Sequence, residues 1–185
     1  MKLCKAGLSD AAWKQAGVKL PEFDIDKMRA TEESPVWVHF GAGNIFRGFI
    51  AVLQQRLLEQ GLAQQGIIAT DTFDYDIIDK IYTPFDNMTM MVSLKPDGSM
   101  DREIIASVAK ANMEDEKEYS YLKKVFANPS LQMLSFTITE KGYALANLKG
   151  EYLPVVTADI ENGPTKAHHA MSIVAALLLE RYNTC

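Results

Sequence analysis

The chain has 185 residues, of which 48% are hydrophobic and 23% are charged, and its formal net charge is −5 at pH 7. This composition is typical of a soluble globular protein with a sizeable core, built as one domain or as one domain with an arm. The negative charge and the lack of a basic stripe argue against a nucleic-acid partner, and the longest apolar runs are too short to span a bilayer.

The ends of the chain favour a cytoplasmic protein. The N-terminus carries lysines but lacks the apolar core of a signal peptide. The two cysteines, Cys4 and Cys185, lie near opposite ends and are predicted to be free thiols rather than a disulfide or metal ligands. We therefore expect a cytoplasmic localisation, no metal site and no contact with membranes.

Residues 1–34 are predicted to form an N-terminal arm with a short helix. The helix is expected over residues 8–16, where a serine can act as N-cap and a glycine follows as a stop. Residues 18–24 are extended and interrupted by proline, so we expect them to lie over the core and outside the sheet. One further helical turn is expected at residues 26–30. The main domain then comprises residues 35–185.

The main domain opens with a strand, a glycine turn and a helix in immediate succession. Residues 36–40 are a short apolar run typical of a buried strand, and an amphipathic helix is predicted over residues 44–59. Gly41 permits a tight turn, Gly43 lets the backbone approach a pyrophosphate, and the free N–H groups at the helix start face the anion. The pattern predicts a dinucleotide-binding Rossmann unit. An ordinary strand-to-helix turn is the alternative, because Phe46 stands where the usual fingerprint has a third glycine.

The second predicted strand, residues 67–70, ends in candidate ligands for a ribose. In a Rossmann unit an acidic residue near the end of this strand binds the adenosine ribose hydroxyls. Asp71 closes the strand, and Asp74 and Asp76 compete with it for this role. The alternative is that these aspartates cap the next predicted helix, residues 75–82.

Residues 88–112 interrupt the alternation of strands and helices. Two strand-like runs, 88–94 and 103–108, flank a strong turn signal at residues 95–99. This pattern predicts a β-hairpin inserted into the nucleotide-binding domain.

A helix over residues 114–127 and a strand over residues 131–139 are expected next. The strand delivers Thr139 and Glu140 at its carboxyl end. Ligands bind at the carboxyl ends of strands in an open α/β sheet, so these two residues are candidate cofactor contacts. An exposed loop without a ligand is the alternative.

The three histidines are assigned to structural or surface roles. His39 lies inside the first strand of the domain, where we expect a satisfied core or edge residue rather than a catalyst. The last helix is expected to start at residues 162–165, which would place His168 and His169 in its first turns. Neighbours on one helix point about 100° apart and cannot both face one metal, so surface or interface roles are expected for this pair.

Four stretches together carry a resemblance to the long-chain mannitol dehydrogenase family, which includes mannitol 2-dehydrogenase, fructuronate reductase (mannonate oxidoreductase) and tagaturonate reductase. They are residues 18–21, residues 39–44 with Arg47, residues 135–143, and the helix start at residues 163–165. The run Thr-Ile-Thr-Glu-x-Gly-Tyr within the third stretch, combined with the glycine turn, is more specific than either feature alone. Their order and spacing fit the family over essentially the whole chain.

The resemblance implies an α/β, Rossmann-like doubly wound sheet that binds NAD(H). Family members add a mainly helical second domain with a Lys-x4-Asn-x2-His catalytic motif, which this chain lacks. We therefore expect the cofactor domain of a longer oxidoreductase, which interconverts a ketose or keto-uronate (fructose, fructuronate, tagaturonate) and its alcohol. The chain alone is expected to bind NAD(H) without turnover and to self-associate through an apolar patch around its last helix.

No catalytic residue is expected in this chain, and the expected cofactor-binding residues come from three segments. They are Gly41, Ala42, Gly43, Asn44, Ile45, Phe46, Arg47, Asp71, Asp74, Thr139 and Glu140. Many relatives have His-Arg after the glycine turn where this chain has Phe46-Arg47, which leaves Arg47 for a phosphate or for the domain's own fold. Two other classes of protein remain open: a nucleotide-binding regulatory module without catalysis, and an α/β interaction domain that binds no nucleotide.

Overall fold

The computed structural model describes residues 1–71, 75–113 and 119–185, and within these ranges the strands form two sheets. The strands are β1 (Val18–Lys19), β2 (Trp37–Phe40), β3 (Ile67–Asp71), β4 (Thr89–Leu94), β5 (Met100–Ile105), β6 (Val108–Met113) and β7 (Met133–Phe136). The larger sheet has the order β6-β3-β2-β7, and all its strand pairs are parallel. Numbered along the chain within this sheet, the order is 3-2-1-4, the arrangement of a Rossmann fold.

Helices surround the sheets and vary in length and type. The α-helices are α1 (Ala12–Gln15), α2 (Ile25–Arg29), α3 (Ala51–Glu59), α4 (Tyr75–Ile77), α5 (Ser120–Phe126), α6 (Glu140–Tyr143), α7 (Pro154–Asn162) and α8 (Ala170–Thr184). A π-helical turn, Phe46–Ile50, runs directly into α3, and a second one, Ile78–Tyr82, follows α4. Short 3-10 turns lie at Lys5–Ser9, Ala30–Glu33, Thr83–Phe85 and Pro164–Lys166. None of the helices in the described ranges is long and apolar enough to cross a membrane.

The two faces of the larger sheet bury separate cores, because successive side chains of a strand point to opposite faces. Val38 and Ile68 pack on one face with buried residues of α5 and α8. Ile67 and Ala69 pack on the other face with Phe46 and with the turn that follows α4. Helices therefore cover both faces, which confirms the predicted α/β, doubly wound Rossmann-like fold.

The predicted hairpin is present as β4 and β5, which pair antiparallel in the smaller sheet. The arm was predicted to lie outside the sheet, and this is correct only for the larger sheet. Val18–Lys19 forms β1, which pairs parallel with β5. The reason is burial: the Val18 side chain packs in a third cluster with Trp13 and Ile104, which brings the arm's backbone beside an unpaired strand edge.

The prediction of one continuous strand over residues 103–108 was wrong, because this range spans a break between the two sheets. β5 ends at Ile105, and β6 begins at Val108 as the third strand of the Rossmann sheet. Gln55 of α3 satisfies the backbone at this crossing: its Nε2 donates to the Ile104 carbonyl at 2.8 Å, and its Oε1 accepts from the Ala106 N–H at 2.7 Å. A contact between residues so far apart in the chain has no local signature.

The last helix begins at Ala170 rather than at residues 162–165, and a separate helix, α7, precedes it. Asp159 of α7 joins the two helices, because its carboxylate accepts the backbone N–H groups of His168 and His169, both at 2.9 Å. A surface or interface role was predicted for His169, and the surface role was wrong. This side chain is buried, and its Nδ1 caps α8 by accepting the Met171 N–H at 3.2 Å. His168 is exposed, as expected.

Other predicted elements are present with different bounds. The helix predicted at residues 8–16 is divided into the 3-10 turn Lys5–Ser9 and α1. Of the helix predicted at residues 114–127, the described part is α5, and residues 114–118 lie outside the described ranges. The division between an arm at residues 1–34 and a domain at residues 35–185 stays a prediction.

Candidate dinucleotide-binding site

The two glycines of the loop after β2 have different structural roles. Gly41 has φ +98, and a Cβ placed on it would lie 2.5 Å from the Thr137 carbonyl oxygen, so both conformation and space require glycine. A Cβ placed on Gly43 would meet none of the described residues within 4 Å. Gly41 is therefore needed by the fold, whereas the described residues leave the space beside Gly43 open to a ligand.

A helix starts immediately after Gly43 and leaves its first amides without a partner within the helix. The first N–H that bonds back within the helix is that of Arg47, which donates to the Gly43 carbonyl at 3.1 Å. The N–H groups of Asn44, Ile45 and Phe46 precede it and have no partner within the helix by geometry. This end of a helix carries partial positive charge and favours an anion such as a phosphate.

Phe46 does not offer its side chain to a ligand. The ring is fully buried and stacks on the His39 ring with centroids 4.4 Å apart. The usual third glycine allows close packing of helix and strand; here an aromatic pair fills that interface, and the helix opens into a π-turn at this point. Only the backbone of Phe46 can therefore serve the predicted site.

The neighbouring predicted residues have different surroundings. The Ile45 side chain is 69% exposed. The Arg47 guanidinium donates to the Asn44 side chain and lies over the Tyr82 ring, 6.0 Å from its centroid. Through these two contacts Arg47 stabilises the start of the helix.

Asp71 lies where the sequence predicts a ribose ligand, at the carboxyl end of β3. Its Oδ2 accepts the N–H of Ala42 at 3.1 Å, so it also holds the glycine loop. Asp74 lies outside the described residues. Asp76 forms an exposed ion pair with Lys80, with 2.6 Å between Oδ2 and Nζ, as expected of a residue on a helix surface.

Tyr82 is a part of the site that the sequence did not indicate. Its hydroxyl donates to the Ala42 carbonyl at 2.8 Å, and its ring is fully buried. Burial raises the pKa of this hydroxyl, which therefore stays protonated and remains a donor. Tyr82 stands where the helical pattern predicts an ordinary core residue, so no local signal indicates that its hydroxyl reaches the loop.

His39 lies in a chain of hydrogen bonds that ends on the glycine loop. The His39 Nδ1 lies 2.6 Å from the Ser135 Oγ, and its Nε2 lies 2.8 Å from the Thr137 Oγ1. The Trp37 Nε1 donates to the same Ser135 oxygen at 2.6 Å, and the Thr137 hydroxyl donates to the Gly41 carbonyl at 2.9 Å. The prediction of a satisfied core histidine is thus confirmed.

The direction of this chain follows from which atoms carry protons. The Gly41 carbonyl can only accept, so the Thr137 hydroxyl proton is directed to it, and the Thr137 oxygen accepts from the His39 Nε2–H. The proton of the neutral ring therefore resides on Nε2. The His39 Nδ1 is then the acceptor and takes the Ser135 hydroxyl proton. Every donor is used once when the imidazole is neutral.

Burial lowers the pKa of His39 from 6.5 to about 4, although the Gly41 backbone carbonyl favours the charged ring. The folded pKa lies below the unfolded one, so this contribution to stability is complete above pH 6.5 and is lost as the pH falls toward 4. We expect the free energy of unfolding in urea to fall by about 2 kcal/mol through His39 alone between about pH 7 and pH 5. The His39→Gln variant is expected to lack this part of the slope; parallel pH profiles for the two proteins would contradict the assignment.

Thr139 and Glu140 lie just beyond β7, which pairs with β2 beside the glycine loop. The Thr137 N–H extends this pairing by donating to the Phe40 carbonyl at 2.9 Å. Thr139 is the N-cap of the short helix α6, Glu140 is its first residue, and both are exposed. The two residues are thus at the same edge of the sheet as Gly43 and Asp71.

Comparison with known proteins identifies relatives of this chain. The family model for the mannitol dehydrogenase Rossmann domain matches residues 35–184. The D-mannonate oxidoreductase of Thermotoga maritima is 47% identical over 98% of this chain and 34% of its own length. The polyol:NADP oxidoreductase of Gluconobacter oxydans is 27% identical over 82% of this chain and 29% of its own length.

Solved structures show the same fold. A substrate-free D-sorbitol dehydrogenase matches with a TM-score of 0.80 and 24% identity, over 99% of this chain and 37% of its own. Pseudomonas fluorescens mannitol 2-dehydrogenase, in a ternary complex with NAD and D-mannitol, matches with a TM-score of 0.80 and 23% identity, over 99% of this chain and 36% of its own. The chain spans about a third of the length of the curated relatives it matches. It belongs to the mannitol dehydrogenase family and has the Rossmann domain of that family.

Proposed function

We propose that this chain is the cofactor-binding part of an NAD-dependent oxidoreductase that interconverts a ketose or keto-uronate and its alcohol. The observation that carries the proposal is the glycine loop: the described residues leave the space beside Gly43 open, the helix that follows starts with amides that have no partner within the helix, and the Asp71 carboxylate accepts the Ala42 N–H. A dinucleotide fits this arrangement, because its pyrophosphate accepts hydrogen bonds from free amides and its ribose donates to a carboxylate. The relatives named as oxidoreductases support the reaction class.

The roles proposed for the residues follow from their positions. The amides of residues 43–46 would hold the pyrophosphate, and Asp71 would bind the adenosine ribose. Thr139 and Glu140, at the carboxyl end of the neighbouring strand, would line the nicotinamide side of the cleft. NAD(H), when bound, supplies the hydride chemistry. The substrate class is proposed from the relatives, and the 47% identity to a D-mannonate oxidoreductase favours a sugar acid.

The choice between NADH and NADPH is proposed to depend on the charge of Asp71. A carboxylate here accepts bonds from ribose hydroxyls and repels a 2′-phosphate, so NADH should bind at least about tenfold more tightly than NADPH. Asp71→Asn removes the charge but keeps an oxygen for the Ala42 N–H, and we expect it to narrow the difference in affinity between NADH and NADPH. Titrations of nicotinamide fluorescence with both coenzymes measure this ratio.

Two outcomes of these titrations are informative beyond the ratio itself. Asp74→Asn is the matched variant, because it removes the same charge at the competing position. If Asp71→Asn keeps the preference for NADH over NADPH and Asp74→Asn loses it, the ribose-binding role belongs to Asp74. A failure of the unmodified chain to bind either coenzyme would overturn the proposed function.

A further inference from the structure

We infer that Thr137 and His39 are positioning residues, which hold the Gly41–Ala42 peptide of the glycine loop in the orientation that a dinucleotide pyrophosphate requires. This inference rests on the proposed function and assigns the control of that site to a buried histidine of β2 and a partly buried threonine just beyond β7. Neither residue would touch the ligand, since both act through the Gly41 carbonyl.

The Gly41–Ala42 peptide unit is fixed from two strands at once. Its carbonyl, that of Gly41, accepts the Thr137 hydroxyl from the end of β7 at 2.9 Å. Its N–H, that of Ala42, donates to the Asp71 carboxylate at the end of β3 at 3.1 Å. A peptide plane held at both ends cannot rotate without losing one bond, so the loop is preorganised.

The next peptide unit is held from a third element. The Ala42 carbonyl accepts the Tyr82 hydroxyl at 2.8 Å. The two peptides that precede the open position at Gly43 are therefore clamped by side chains, not by a ladder of strand pairing. These clamps fix where the amides that follow Gly43 point.

His39 sets the orientation of the Thr137 hydroxyl. Its Nε2–H donates to the Thr137 oxygen, which leaves the hydroxyl proton only for the Gly41 carbonyl. The ring itself is fixed by the Phe46 stack and by Ser135. The side chains on this side of the peptide are uncharged and add no charge that would compete with a bound anion, whereas the opposite side is held by the Asp71 carboxylate.

The test compares threonine variants that make the same chemical change at two places. Thr137→Val removes the hydroxyl that reaches the loop and keeps the shape of the side chain. Thr70→Val is the matched control, because the Thr70 side chain is fully buried and its hydroxyl has no hydrogen-bond partner among the described residues. Thr137→Ser restores the hydroxyl. The dissociation constant for NADH is measured by fluorescence titration at neutral pH, with thermal unfolding of each protein recorded.

We expect Thr137→Val to weaken NADH binding by about three- to tenfold, the size of one hydrogen bond, and Thr137→Ser and Thr70→Val to stay within about twofold of the unmodified chain. The affinity for ADP-ribose should fall in parallel in Thr137→Val, whereas the affinity for adenosine, which lacks the pyrophosphate, should not change. A merely structural role would not give rescue by serine together with this ligand dependence.

A second pair of variants covers the case in which Thr137→Val does not fold. His39→Gln keeps an N–H that can donate to Thr137, and His39→Leu does not, so NADH should bind more tightly to the glutamine variant. Equal NADH affinity in folded Thr137→Val and Thr70→Val, or in the two His39 variants, would overturn the inference. Loss of NADH binding in the unmodified chain would instead overturn the proposed function, and this inference with it.

Discussion

Replacing Gly43 with valine is expected to abolish NADH binding, by at least about 100-fold in affinity, and to leave the fold intact. A Cβ at this position meets no atom of the described residues within 4 Å, so adding a side chain here forces no backbone clash at its first carbon. The same space is where a pyrophosphate must approach the loop amides. Fluorescence titration with NADH measures the affinity, and circular dichroism during thermal unfolding measures the fold.

Two other glycines serve as controls for this experiment. A Cβ on Gly48 would lie 3.7 Å from the Met91 sulfur, an ordinary contact, so Gly48→Ala should fold and bind NADH like the unmodified chain. Gly41→Ala should instead lower the thermal stability, because its Cβ would lie 2.5 Å from a backbone oxygen at a φ of +98. NADH affinity in Gly43→Val equal to that of Gly48→Ala would refute the placement of the pyrophosphate.

The 185-residue chain by itself is expected to show no dehydrogenase activity. Hydride transfer needs the substrate carbon held against the nicotinamide with a proton donor within about 3 Å of its oxygen. The candidate site lies at the carboxyl ends of the sheet's strands, and its two buried titratable groups are already hydrogen-bonded. The Tyr82 hydroxyl donates to the Ala42 carbonyl. The His39 ring is hydrogen-bonded to Ser135 and Thr137. The absorbance of NADH with fructose, fructuronate or tagaturonate measures turnover.

The same sample should also self-associate in light-scattering measurements. Leu178 and Leu179 of α8 are 45% and 48% exposed, although the adjacent Leu177 is buried. Oxidation of NADH that is present in the unmodified chain and lost in Glu140→Gln or Lys141→Met would contradict the expected absence of turnover. These two residues of α6 would then supply the acid that the site otherwise lacks.

The centre of the fold could be predicted because its signals are local. An apolar run, two glycines and a helical period lie within a few residues, and they identify β2, the loop and the helix that follows. β6 was missed because Lys110 and Asn112 interrupt its apolar pattern, and because the adjoining crossing is stabilised by Gln55 from a distant helix. α7 has local signals that could have identified it: proline at its first position and glycine after its end.

The candidate site was predictable only in part for a related reason. Glycine positions and a carboxylate at a strand end are readable from one sequence, whereas the packing that orients them is not. Phe46 follows the loop directly but lies in the core against His39. Tyr82 is far away in sequence but reaches the loop. Both facts depend on contacts between elements, which a residue pattern along one chain does not record.

The most direct test of the dinucleotide site is an NMR titration of the unmodified chain with NADH, in which the backbone amide signals are assigned and followed. We expect the largest shifts at the amides of Gly43, Asn44 and Ile45, with smaller shifts around Asp71. The same titration of Gly43→Val should show no such shifts. Saturable shifts that lie elsewhere and leave the amides of Gly43, Asn44 and Ile45 unchanged would contradict a dinucleotide site at this loop.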